Sequence, residues 1–170
     1  MLIPQNRLQE RVSELGLEIS EVYQEKDPVL ITVLKGSFIF AADLLRAMTI
    51  PVSIDFMAIS SYAARPGSGV VRITKDLDDS IAGRHVLLIE DIIDTGLTGN
   101  YLLQTLKRRN PASIQICALL DKSIRRIIDL PIAYRGFDIP DVFVVGYGMD
   151  YQQQHRNLPH IAILRPKSEQ

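Results

Sequence analysis

Val86-Leu87-Leu88-Ile89-Glu90-Asp91-Ile92-Ile93-Asp94-Thr95-Gly96-Leu97-Thr98-Gly99 is the stretch on which the reading of this 170-residue chain turns. Val86 to Ile89 is a continuous, β-rich apolar run, the pattern of a strand buried on both faces. It ends in two adjacent carboxylates, Glu90 and Asp91. A turn of small residues follows from Asp94 to Gly99. From about Thr98 to Arg109, Tyr101, Leu102, Leu103 and Leu106 predict a helix, with Lys107, Arg108 and Arg109 in its last turn. A helix start presents unpaired N–H groups and a partial positive charge, so it attracts anions. Gly96 and Gly99 let the backbone approach an anion closely, and the Thr95 and Thr98 hydroxyls add donors. Carboxylates beside a phosphate would repel it, so Glu90, Asp91 and Asp94 imply a divalent cation or ribose hydroxyls in between. Taken alone, strand, carboxylates and capped turn read equally well as a solvated loop.

A second unit of the same kind lies upstream. Val29 to Leu34 is another apolar strand, followed by Lys35-Gly36-Ser37 and a largely apolar helix over Phe38 to Met48. A third buried strand is expected over Ser113 to Leu120, closed by Asp121-Lys122-Ser123. Repeated strand–turn–helix units predict an α/β fold, a mainly parallel, doubly wound sheet flanked by helices, with ligands at the carboxyl ends of the strands. Leu8, Val12, Leu15, Ile19 and Val22 predict an amphipathic helix along Gln5 to Gln24, interrupted by Gly16 at a modest cost. Val52 to Ser60 and Val70 to Thr74 read as strands around a segment rich in small residues, Ser60 to Gly69. Ile161 to Leu164 is a last short strand.

Composition narrows the function classes. The formal net charge is -1 and the pI near 6.3, which argues against a nucleic-acid binder. No apolar run approaches the ~20 residues of a membrane span, so no membrane association is expected. Met1 to Arg7 lacks the pattern of a signal peptide, and a cytoplasmic protein is expected. The one cysteine, Cys117, sits in an apolar run with no partner at metal-ligand spacing. The length suits a single domain over residues 1–170. There is no Gly-x-x-x-x-Gly-Lys-Ser/Thr loop and no Gly-x-Gly-x-x-Gly opening a helix.

The string Val86 to Thr98 resembles the phosphoribosyl-pyrophosphate (PRPP) signature of type I phosphoribosyltransferases, in particular the hypoxanthine-guanine branch. Gly136-Phe137-Asp138-Ile139-Pro140-Asp141-Val142-Phe143-Val144-Val145-Gly146-Tyr147-Gly148-Met149-Asp150-Tyr151 resembles a second segment of that branch almost residue for residue. The resemblance covers essentially the whole chain. It implies a Mg2+-dependent transfer of the phosphoribosyl group from PRPP to a 6-oxopurine, releasing pyrophosphate.

Residue by residue, it implies a 5′-phosphate cradle of Asp94, Thr95, Gly96, Leu97 and Thr98, with Asp94 also the general base near the purine N7. Glu90 and Asp91 would hold the ribose hydroxyls and a metal ion, and Asp150 a second metal. Lys35 and Gly36, in a turn that often carries a cis peptide, would meet pyrophosphate together with Arg156. Lys122 would donate to the purine O6, Phe143 would stack on the base, and the Val144 backbone carbonyl would meet its edge. Ser61 and Tyr62 would begin a flexible loop over about 60–75, where Ala63 replaces the usual glycine. Arg126 would face the pyrophosphate side, although the usual proline of the Lys122–Arg126 turn is missing. The terminal segments would form a small hood, and the protein would be a homodimer or homotetramer. An adenine or orotate enzyme would share the PRPP turn but not the pairing of Lys122 with Phe143-Val144. A PRPP-sensing regulator could also keep the fold.

Overall fold

The computed structural model describes residues 1–61 and 71–165. The expected parallel strands form around β1 (Val29–Leu34), β4 (His85–Ile93) and β5 (Ser113–Asp121), joined by β2 (Ser53–Ser61), β3 (Val71–Lys75) and β6 (Ile132–Asp138) in one six-stranded sheet of order β3-β2-β1-β4-β5-β6. Only β3 runs antiparallel, against β2. The alternation of buried side chains explains why these strands read as unbroken apolar runs. Leu87 and Ile89 of β4 join a core with helices α1 (Gln5–Val22) and α2 (Phe38–Ala47) on one face, whereas Val86 and Leu88 join a core with α3 (Leu97–Lys107) on the other. Leu102, Leu103 and Leu106 of α3 are buried there, each stabilising the fold by about 1.5–3 kcal/mol.

The strand ends differ from expectation in one way that matters. The central strand runs on past Ile89 to Ile93, so Glu90 and Asp91 lie within β4 rather than at its tip. β4 pairs with β1 only from Val86 to Ile89, while its pairing with β5 continues to Ile93. β1 meanwhile follows β2 to Leu34. The two central strands therefore part after Thr32 and Ile89, and a crevice opens between them. The connections turn to opposite sides of the sheet at this point, which is the topological switch point of an open α/β sheet.

Other differences are local. β6 was not expected, because Ile132 to Asp138 alternates only weakly, with Tyr134 its one buried residue. Gly16 is more than an interruption. It is buried where α1 crosses α2, and a Cβ there would lie 2.6 Å from the Ala47 Cβ, so only glycine allows this approach. A small two-stranded sheet, β7 (Val144–Val145) with β8 (Ala162–Ile163), and a bridge from Ile3 to Ile161 bring the first residues of the chain beside the β8 segment. No helix among the described residues is long and apolar enough to cross a membrane.

Candidate active site

Two adjoining cavities fill the crevice, one of about 250 Å³ over the turn after β4 and one of about 610 Å³ reaching β5 and β7; Gly36, Asp91 and Asp94 line both. The smaller is walled by Glu90 to Gly96, Thr98 and Gly99. Helix α3 starts at Leu97, and Gly96 before it adopts φ 84°, the left-handed conformation that glycine takes without strain. Behind the turn, the Ile127 and Ile128 amides donate to the Thr95 carbonyl at 2.8 and 3.1 Å. A Cβ on Gly96 would overlap the Ile128 carbonyl oxygen. The turn is thus backed by protein and open toward the cavity, as an anion cradle requires.

The carboxylates of β4 sit at the floor. Glu90 is 7% exposed, and its Oε1 is buried without a hydrogen-bond partner among the described residues. Burial, with Asp91 beside it, holds its carboxyl well above the usual range. Burial also pushes Asp91 up to about 6, reinforced by Asp150 and opposed by the Ile92 amide at 2.8 Å and by Arg156. Two adjacent carboxylates this short of partners are a place for a cation or for hydroxyl donors. Among the described residues no group of three or more His, Cys, Asp or Glu could hold a metal by itself. A Mg2+ here would share its coordination with ligand oxygens, and Mg2+ is commonly bound that way.

The turn after β1 closes the other side. The Leu34–Lys35 peptide is cis. A Cβ on Gly36 would overlap Asp91 Oδ2, and one on Gly148 would overlap the Gly36 carbonyl oxygen. The β1 turn, the β4 carboxylate and the 146–149 turn are therefore stacked in contact. Asp150 is held by Arg156 at 2.7 Å and by the Gln153 amide at 2.7 Å, and Arg156 also donates to the Gly148 carbonyl at 2.7 Å. Lys35, Gly36, Asp150 and Arg156 all line the larger cavity.

At its far end, Lys122 follows β5, its side chain 7% exposed. Its Nζ stands 3.9 Å from Asp94 Oδ2 and 4.0 Å from Asp141 Oδ1. Asp94 Oδ1 is buried with no hydrogen-bond partner among the described residues. Phe143 is half exposed, edge-to-face with Tyr151 at 5.8 Å, and so is not a core residue; Val144 lies beside it on the cavity wall. Without a proline, Ser123–Arg125 forms a 3-10 turn. It points Arg125 into the cavity and turns Arg126 away, into an ion pair with the buried Asp121, which Arg135 also reaches at 2.9 Å. Arg126 therefore lines neither cavity. Of the expected loop, Ser61 closes β2, while Tyr62 and Ala63 lie outside the described residues. Sequence reasoning missed Arg125, Asp141 and Gly148. The doublet Arg125-Arg126 was visible, but only the turn decides which arginine faces the site.

The chain is similar to known proteins throughout. The model of the phosphoribosyl transferase domain matches residues 4–152. The hypoxanthine phosphoribosyltransferase of Haemophilus influenzae is 50% identical over 95% of this chain and 92% of that one. The hypoxanthine-guanine phosphoribosyltransferase of Bacillus subtilis is 47% identical over 98% and 93%. A crystal structure of a Bacillus anthracis hypoxanthine-guanine phosphoribosyltransferase superposes with a TM-score of 0.92 at 46% identity, covering 96% of this chain and 97% of that one.

Proposed function

The chain belongs to the phosphoribosyl transferase family, and from that premise we propose that it is a purine-salvage enzyme joining hypoxanthine, guanine or both to PRPP. One observation carries the reading. The anion cradle of Asp94 to Thr98 and the buried Lys122 open on the same crevice, with Asp94 between them. A 5′-phosphate in the cradle and a 6-oxo base against Lys122 would then belong to one nucleotide.

The chemistry follows from what each residue can donate or accept. In the transfer, the bond from C1′ to the pyrophosphate oxygen breaks, the bond from C1′ to the purine N9 forms, and the purine loses a proton. Lys122 carries only donors, so it favours a 6-oxo group over a 6-amino group. Phe143 offers an exposed ring face for stacking. Asp94 Oδ1, without a partner among the described residues, accepts the proton from the purine N7 as C1′ is attacked. Thr95, Gly96, Leu97 and Thr98 fix the 5′-phosphate with N–H and O–H donors. Glu90 and Asp91 orient the ribose hydroxyls. Lys35, Gly36 and Arg156 take the departing pyrophosphate, where their charge and amides stabilise what develops on the leaving oxygens. Mg2+ would be held by Glu90 and Asp91, and a second ion by Asp150; bound there, it neutralises pyrophosphate charge. The terminal segments form a hood over the base, and the enzyme assembles as a homodimer or homotetramer.

An ultraviolet progress curve with PRPP and Mg2+ tests this against hypoxanthine, guanine, xanthine and adenine in turn. Conversion of an oxopurine with adenine inert is expected. Conversion of adenine, or of no base at all, overturns the proposal.

A further inference from the structure

Four charges close a ring at the end of the larger cavity. Arg125 Nη1 lies 3.4 Å from Asp94 Oδ2 and 3.7 Å from Asp141 Oδ1. Lys122 Nζ lies 3.9 and 4.0 Å from the same two oxygens. Cation and anion alternate, but not evenly. Arg125 is the nearer cation to both carboxylates, and Lys122 stays beyond hydrogen-bond distance of either. The division extends within Asp94, whose Oδ2 meets the cations while Oδ1 is without a partner among the described residues.

A buried ammonium facing two carboxylates unopposed would close on one of them as a direct ion pair. The Lys122 side chain is 7% exposed, so solvent would do little to weaken such a pair. An incoming base would then have to break it before its O6 could be recognised. We propose that Arg125 is a positioning residue for base recognition. By drawing on Asp94 Oδ2 and Asp141, it keeps the Lys122 donors free for the purine O6 and leaves Asp94 Oδ1 free for the N7 proton. Asp141, in the turn before Phe143, is its second anchor. This rests on the reading of the site as a 6-oxopurine transferase. The exposed side chain of Arg125 is otherwise that of an ordinary surface cation, half in solvent.

Calorimetry with two ligands that share the phosphate cradle separates the base from the rest: inosine 5′-monophosphate and ribose 5-phosphate. Arg125→Gln is expected to weaken the nucleotide about tenfold, the size of one charge-assisted hydrogen bond. It leaves ribose 5-phosphate within about twofold, and Arg125→Lys restores most of the nucleotide affinity. A general loosening of the fold would weaken both ligands alike. Equal losses for the two ligands, or no loss for either, overturn the inference. Conversion of hypoxanthine by the unaltered protein is followed in parallel. Its absence overturns the purine-transfer reading itself. Its presence, with nucleotide binding unmoved in Arg125→Gln, overturns the role of Arg125 alone.

Discussion

Asp91 links the pH dependence of ligand binding to the stability of the fold. Its carboxyl is pushed from 3.8 up to about 6. In its proposed role it must be ionised to hold metal and ribose hydroxyls, and with a value near 6 it is about 90% ionised at pH 7 and about 10% at pH 5. Binding of Mg2+ and PRPP is therefore expected to weaken about tenfold between those pH values through this group. The phosphates of PRPP also take up protons near pH 6 and Glu90 titrates above the usual range, so Asp91→Asn serves as the reference: whatever pH dependence survives in it belongs to the ligand or to Glu90.

The stability effect has a defined sign. A folded value above the unfolded one means that the folded state binds this proton more tightly. The contribution of the group is complete below about 3.8 and is lost as the pH rises toward 6. Above pH 6 the ionised, partly buried carboxylate costs up to about 3 kcal/mol, at 1.36 kcal/mol for each pH step between 3.8 and about 6. Asp91→Asn carries no charge to bury. It should be more stable than the parent at pH 7.5 by up to that amount, and by roughly half of it at pH 5, while binding PRPP poorly. Urea unfolding at the two pH values and calorimetric titration with Mg2+ and PRPP across pH 5–7.5 measure both. A parent whose binding changes with pH no more than that of Asp91→Asn, or a variant no more stable than the parent at pH 7.5, would refute the reasoning.

Three further outcomes are expected from the site. Asp94→Asn keeps the cradle but loses the proton acceptor, so kcat falls by ~10²–10⁴-fold with a smaller change in PRPP binding; equal losses in both, by steady-state kinetics and calorimetry, would remove its role as base. Gly36→Ala puts a methyl group onto Asp91 Oδ2. The KM for PRPP should rise roughly tenfold or more, because the displaced carboxylate would no longer meet the ribose hydroxyls it is proposed to orient, whereas circular dichroism should show an intact fold. Lys122→Gln should lower kcat/KM for hypoxanthine by about 10–100-fold, the worth of a hydrogen bond from a charged donor. The same assay with adenine checks whether discrimination narrows with it.

Much of this protein is legible along the chain because its signals are local. An unbroken apolar run records a strand covered on both faces. Val86 to Ile89, Val29 to Leu34 and Ser113 to Leu120 therefore announce the parallel sheet, and the turn after the first of them carries Thr95, Gly96 and Thr98, the donors of the proposed anion cradle. β6 was not legible, since a weakly alternating edge strand leaves little pattern when only Tyr134 is buried.

What tertiary structure alone decided are contacts between elements distant in sequence. Glu90 and Asp91 sit inside β4, and they reach a ligand only because β1 parts from β4 after Ile89, a consequence of strand pairing and not of composition. Gly36 matters through its contact with Asp91, and Gly148 through its contact with Gly36. The roles of Arg125 and Arg126 divided only when the 3-10 turn aimed one at Asp94 and the other at Asp121. Residue type determines which chemistry a side chain can perform, and local pattern determines the element that carries it. Which neighbour it meets depends on how the sheet and its turns are packed, because charge and steric contact act over a few ångströms of space whatever the separation along the chain.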